Sequence, residues 1–196
     1  GEMPSLISLG PKKPPGVGNK EKALNSFIKS VIKKEKNKFK CIHDLLTKSL
    51  PDIEGVKKGE DLINEKEDII KESIKTVKDL NSSYLVFQGP PGTGKTYTTA
   101  KIIIDLIKDN KKVGVSSNSH EAIKTLLYKI EEECDFEFKG IKISNKEEQQ
   151  LKGKIIKDVD GKNIDFDNTQ LIAGTTFFFS KHSERDEKGK INEILQ

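Results

Sequence analysis

The chain has 196 residues, enough for one ordinary domain with an appendage. Hydrophobic residues make up 33% and charged residues 34%, which predicts a modest core and much solvated surface. No apolar run approaches membrane-spanning length and no secretory leader opens the chain, so a cytoplasmic protein without a membrane partner is expected.

The net charge of +4 is unevenly spread. Residues 1–80 carry 17 basic and 13 acidic side chains, residues 81–130 carry 7 and 3, and residues 131–196 carry 11 and 15. A basic surface favours polyanions such as nucleic acid. All but one of the basic residues are lysine, so a general lysine enrichment explains the same numbers. The single arginine, Arg185, lies in the acidic stretch "SERDEKGK" and fits a surface salt bridge better than a catalytic role. Cys41 and Cys134 are too few for a disulfide framework or a zinc site.

Residues 1–20 are dense in Pro and Gly and read as extended linker. Residues 21–80 read as a helical, lysine-rich region. In "KALNSFIKSVIKK", Leu24, Phe27, Ile28, Val31 and Ile32 recur at helical spacing opposite a lysine face. "CIHDLLTKSLPDIEG" predicts a short helix stopped by Pro51, and residues 60–79 predict an amphipathic helix.

From residue 81 the pattern becomes α/β. "YLVFQ" at 84–88 predicts a strand, "TYTTAKIIIDLIK" a buried helix and "VGVSS" a second strand parallel to the first. "NSHEAIKTLLYKIEEE" predicts a helix capped by Asn118, with Glu121 completing a capping box. "FEFKGIKIS" reads as a third strand. An insertion at about 144–169 contains Asp160-Gly161, a hairpin turn signal, and "LIAGTTFFF" at 171–179 reads as a further strand. The fold class expected is α/β: a P-loop NTPase (RecA-like) parallel sheet flanked by helices, incomplete, over residues 81–196, with an N-terminal helical extension.

Gly89, Pro90, Pro91, Gly92, Thr93, Gly94, Lys95 and Thr96 fit G-x-x-x-x-G-K-[ST], placed between a strand and a helix. Glycines allow close backbone approach, and loop N–H groups at a helix N-terminus converge on an anion. The pattern predicts an ATP site with Mg²⁺. Lys95 is the catalytic cation on the β- and γ-phosphates, and the Thr96 hydroxyl is a Mg²⁺ ligand. Tyr97 lies near the nucleoside or is simply a packed or surface aromatic.

"FQGPPGTGKTYTTA", "KKVGVSSNSHEAIKTLL" and "LIAGTTFFF", in this order, resemble superfamily 1 helicases of the nonsense-mediated-decay and Okazaki-fragment-processing type. The resemblance is closer to bacterial proteins that join a RecB-like nuclease to such a helicase. It is specific over residues 83–127 and 171–179, and implies translocation on single-stranded nucleic acid, DNA in preference to RNA. It places Ser117, Asn118, Ser119 and His120 against the strand. Those residues also open a helix whose free N–H groups suit a phosphate, although Asn118 and Ser119 also read as plain caps. Thr175 and Thr176 are assigned to the nucleic acid by the resemblance alone. The glutamine that the family commonly places upstream of the loop is absent from residues 51–87.

An acidic motif ending an apolar strand is expected shortly after residue 179. Asp186-Glu187 follows a polar stretch, and Asp165 and Asp167 precede the strand in question. The chain therefore reads as the nucleotide-binding part of a motor, its partner being the remainder of the helicase in cis or in trans. A self-contained P-loop NTPase or kinase, and a non-enzymatic nucleotide-gated binding module, are the competing readings.

Overall fold

The computed structural model describes residues 18–182 apart from 36, 58, 65 and 163. Three helices come first: α1 (Gly18–Ile32), α2 (Lys40–Leu46) and α3 (Ile69–Lys78). The α/β part follows as α4 (Lys95–Lys108), β1 (Val113–Ser117), α5 (His120–Glu133), β2 (Gly140–Ile143), a 3₁₀ turn (Glu147–Gln149), β3 (Ile156–Val159), β4 (Leu171–Thr175) and α6 (Thr176–His182). The four strands form one parallel sheet in the order β1-β4-β2-β3. This is the parallel, helix-flanked sheet of a P-loop NTPase.

Both faces of the sheet are covered, as parallel sheets require. Alternate residues of β4 divide between them. Leu171 and Ala173 join Val115 under α4 and α5, where Ile103, Ile107, Ile123, Leu127 and Ile130 interdigitate. Ile172 points the other way and packs with Ile141, Ile143 and Phe178. Gly174 is needed at that point, because a β-carbon there would sit 2.8 Å from the Phe178 ring.

Several sequence expectations fail. Residues 84–88 form no strand, so the expected βαβ unit with β1 is not built. A strand exists only through a neighbour's ladder hydrogen bonds, and among the described residues none reaches this segment. Phe177–Phe179 are helical in α6 rather than a continuation of β4. The pairing of β4 with β1 ends at Ser117↔Thr175, and a helical turn returns Phe178 to the sheet face. Asp160-Gly161 makes no hairpin, since β2 lies between β3 and β4. The pair forms a local turn, with Gly161 at φ 77° and Lys162 N–H donating to Asp160 Oδ1 at 3.0 Å.

Residues 154–156 are instead steered alongside β2 by a carboxylate. Glu131 on α5 accepts from the N–H groups of Lys154, Ile155 and Ile156 at 3.0, 2.9 and 2.7 Å. Residues 18–20, expected in the linker, begin α1, and residues 1–17 lie outside the described residues. α3 is shorter than expected because Asp68 caps it, accepting from the N–H groups of Ile70 and Lys71. α2 ends at Leu46, with Thr47 as its C-cap, before Pro51 exerts any effect. α3 is tied to α4 by Lys78, which pairs with Asp105 and with Asp109, the latter at 2.8 Å. Among the described residues no helix is long and apolar enough to cross a membrane.

Candidate functional site

α4 runs back along the sheet into the short turn before β1, so its N-terminus and the C-terminal end of β1 lie at one edge. Residues 89–94 form the loop at that edge. Gly92 and Gly94 have φ of 84° and 80°, the left-handed region that glycine enters freely. Gly94 is the N-cap of α4 and offers no side-chain cap, so the first-turn N–H groups face outward. Gly89 is constrained differently: a β-carbon would meet Thr93 Oγ1 at 2.7 Å.

Lys95 Nζ donates to the carbonyls of Gly89 and Pro90 at 2.5 and 2.6 Å, and Thr93 Oγ1 donates to Pro90 O at 2.9 Å. The ammonium thus sits inside its own loop, where a phosphate oxygen would replace the carbonyls. Pro91 and Thr96 are exposed on the same turn. Uncapped N–H groups, a helix dipole and a lysine at the loop centre fit a polyphosphate. The Tyr97 ring lies 5.4 Å from the ammoniums of both Lys101 and Lys129, which Glu133 draws together at 2.7 and 3.2 Å. Tyr97 therefore joins α4 to α5 at the first turn after the loop.

The strand-end residues converge. Thr176 Oγ1 donates to Asn118 Oδ1 at 2.7 Å, linking the end of β4 to the end of β1. Ser117 and Thr175 are register partners on those strands. Asn118 does not cap α5. The N-cap is Ser119, whose Oγ accepts from Ala122 N–H at 3.4 Å while its own N–H donates to Ser117 Oγ at 3.3 Å. Asn118 is left to hold Thr176. Ser117, Asn118, Ser119, His120, Thr175 and Thr176 thus gather at the C-terminal ends of β1 and β4.

His120 Nδ1 is buried without a hydrogen-bond partner among the described residues. Burial, and then the nearby charges of Lys142 and Lys124, push its pKa down, so the ring is neutral near pH 7. Behind it lies a network that motif reading missed. Lys142 is fully buried and donates to Ser144 Oγ at 2.6 Å and to the Gln149 carbonyl. Ser144 Oγ donates to Asp158 Oδ1 at 2.8 Å, and Asp158 also accepts from Leu151 and Lys152 N–H groups. Burial pushes Asp158 up, but these donors and Lys142 bring its pKa below the ordinary value. Lys142 is pushed down by burial, against the pull of Asp158. Residue spacing in "GIKIS" does not reveal this network, because Ser144, Gln149 and Asp158 come together only where β2 and β3 pair.

Asp165 is engaged elsewhere, before the start of β4. It accepts from Lys139 Nζ at 3.0 Å and from Asn168 Nδ2 at 2.9 Å, and its pKa falls to about 2. Arg185, Asp186 and Glu187 lie outside the described residues. Among the described residues, no three His, Cys, Asp or Glu side chains gather as a metal site.

A family model described as "Type III restriction enzyme, res subunit" matches residues 59–195. The chain belongs to that family. It therefore contains a helicase-type P-loop region, and P-loop ATPases generally use ATP and Mg²⁺. The chain is also 34% identical over 76 residues to the Replication factor C small subunit of Sulfurisphaera tokodaii, and 45% identical over 51 residues to that of Saccharolobus solfataricus. These stretches cover 37% and 26% of this chain but only 23% and 15% of the relatives' lengths. No solved structure matches the chain significantly.

Proposed function

We propose that this chain is the ATP-binding part of a helicase or translocase that couples ATP hydrolysis to movement on single-stranded nucleic acid, DNA in preference to RNA. The observation that carries the reading is the Thr176–Asn118 hydrogen bond of 2.7 Å. It joins the two strand ends that sequence resemblance assigns to nucleic acid, at the edge where the phosphate loop also opens. The name of the matched relatives, a replication factor, favours DNA.

In this reading the outward N–H groups of α4 would hold the phosphates, and Lys95, which rests on the Gly89 and Pro90 carbonyls, would supply the cation for them. Thr96 ligates Mg²⁺. Bound ATP supplies the phosphoryl group whose transfer to water drives movement. Ser117, Ser119 and the start of α5 hold the strand's phosphates, and Asn118 and Thr176 fix the separation of β1 and β4. Among the described residues β1 is paired on one side only and residues 84–88 join no ladder, which supports a further strand between them, from the remainder of the helicase in cis or in trans. That remainder supplies the acidic residue of the Mg²⁺ site.

The test is Mg-ATP binding and turnover with and without an oligo-dT strand, beside Lys95→Ala and Thr176→Val. Lys95→Ala abolishes nucleotide binding, Thr176→Val weakens strand binding alone, and turnover is negligible throughout. Robust Lys95-dependent turnover without the oligonucleotide would make a self-contained NTPase the better reading. Nucleotide-dependent strand binding, with no turnover even when the remainder of the helicase is supplied, would favour a binding module.

A further inference from the structure

Among the described residues, nothing covers the apolar stripe of α1. Leu24, Ile28, Val31 and Ile32 recur at the spacing of a packed helix face, yet they are 57%, 42%, 46% and 73% exposed. α2 repeats the pattern with Ile42 and Leu46, exposed at 45% and 64%. Of the fourteen large hydrophobic side chains exposed among the described residues, eight fall between residues 24 and 50. Scattered exposed apolar residues are ordinary, but a concentration of this kind marks an interaction surface.

Shape and charge point to the occupant. Where α1 meets the chain entering α2, a notch of about 80 Å³ is lined by Phe27, Ser30, Val31, Lys34, Lys38, His43 and one carboxylate, Glu35, which pairs with Lys38 at 3.9 Å. One water needs about 10–15 Å³ on such a measure, so the notch has room for an aliphatic side chain. Residues 18–50 contain nine lysines against three carboxylates, Glu21, Glu35 and Asp44. Lys29 and Lys33 flank the stripe on one side of α1, Lys34 stands on the notch side, and all three are exposed.

We propose that α1 and its notch dock an acidic amphipathic helix of a partner polypeptide. The partner lays its apolar face on Leu24, Ile28 and Ile32, sets one aliphatic side chain into the notch, and brings carboxylates to Lys29, Lys33 and Lys34. A bilayer presents no side chain to fill a notch, and a nucleic acid backbone leaves the apolar stripe in water. The proposal stands apart from the helicase reading, since none of these residues belongs to the nucleotide edge.

The experiment measures fluorescence anisotropy of a labelled synthetic helix added to the full chain. The peptide carries Leu at i, i+3, i+4 and i+7 with Glu between, and a scrambled peptide of the same composition is the control. The ordered peptide binds and the scrambled one does not. Ile28→Glu/Ile32→Glu weakens binding at least about tenfold, and Lys29→Glu/Lys33→Glu weakens it while flattening its salt dependence. Mg-ATP binding unchanged in both variants shows that they fold. Equal binding of the two peptides, or no loss in the stripe variant, overturns the proposal. So does capture of anionic phosphatidylserine vesicles or oligo-dT by these residues when the peptide is ignored, or self-association of the chain through them.

Discussion

α1 and α5 carry the same kind of apolar stripe and meet opposite fates. Ile123, Leu127 and Ile130 of α5 are 1%, 0% and 0% exposed, whereas Leu24, Ile28 and Ile32 of α1 stand mostly in water. Periodicity states which side chains share a face. It does not state whether anything packs on that face. α5 has the sheet and α4 against it, while α1 rests on α6 and buries chiefly Ser30, whose hydroxyl donates to Phe27 O at 2.6 Å.

The sharpest way to break this contrast is to truncate one residue of each kind. Leu127→Ala should cost about 4 kcal/mol through lost burial and a residual cavity, and Leu24→Ala less than about 0.5 kcal/mol, read from urea unfolding followed by circular dichroism. Similar losses at both positions would mean that α1 is covered. Next in size is Asp158→Ala, which leaves the Lys142 ammonium buried with only Ser144 and the Gln149 carbonyl as partners. A loss of about 3 kcal/mol is expected on the same unfolding curves, and Lys142→Met in the Asp158→Ala background should recover part of it. Removing the cap by Ser119→Ala should cost about 1 kcal/mol, whereas Asn118→Ala should leave the stability of α5 itself nearly unchanged. A larger effect at Asn118 would restore the cap assignment made from sequence.

The smallest effect concerns pH. The folded-state pKa of His120 is lowered, so as pH falls through the ordinary histidine value the unfolded chain takes up the proton first. Stability contributed by the neutral ring is present above that value and is lost as pH drops toward the lowered one. The thermal midpoint should therefore fall less steeply from pH 7.5 to about 5.5 in His120→Asn than in the parent chain. An unchanged slope would mean that the ring titrates freely. Asp165, whose pKa is also lowered, follows the same sign in the carboxylate range: its contribution is present above the ordinary carboxylate value and is lost as pH falls toward about 2.

Features that depend on neighbours along the chain were legible in the residues alone. Gly92, Gly94, Lys95 and Thr96 build the loop through backbone freedom and a helix start, both local properties. β1, α5, β2 and β4 were legible because their apolar periods survive in a sheet with two covered faces. The tertiary structure alone decided what depends on partners distant in the chain. Residues 84–88 have strand composition but, among the described residues, no ladder to join; Phe177–Phe179 turn helical where the pairing of β4 ends, and Glu131 draws residues 154–156 beside β2. Lys142 is interior because Ser144 and the Gln149 carbonyl close over it beside Asp158 of the neighbouring strand. Asn118 exchanged a cap for Thr176, 58 residues away. A side chain's partner across such a separation is set by packing, and no local pattern encodes it.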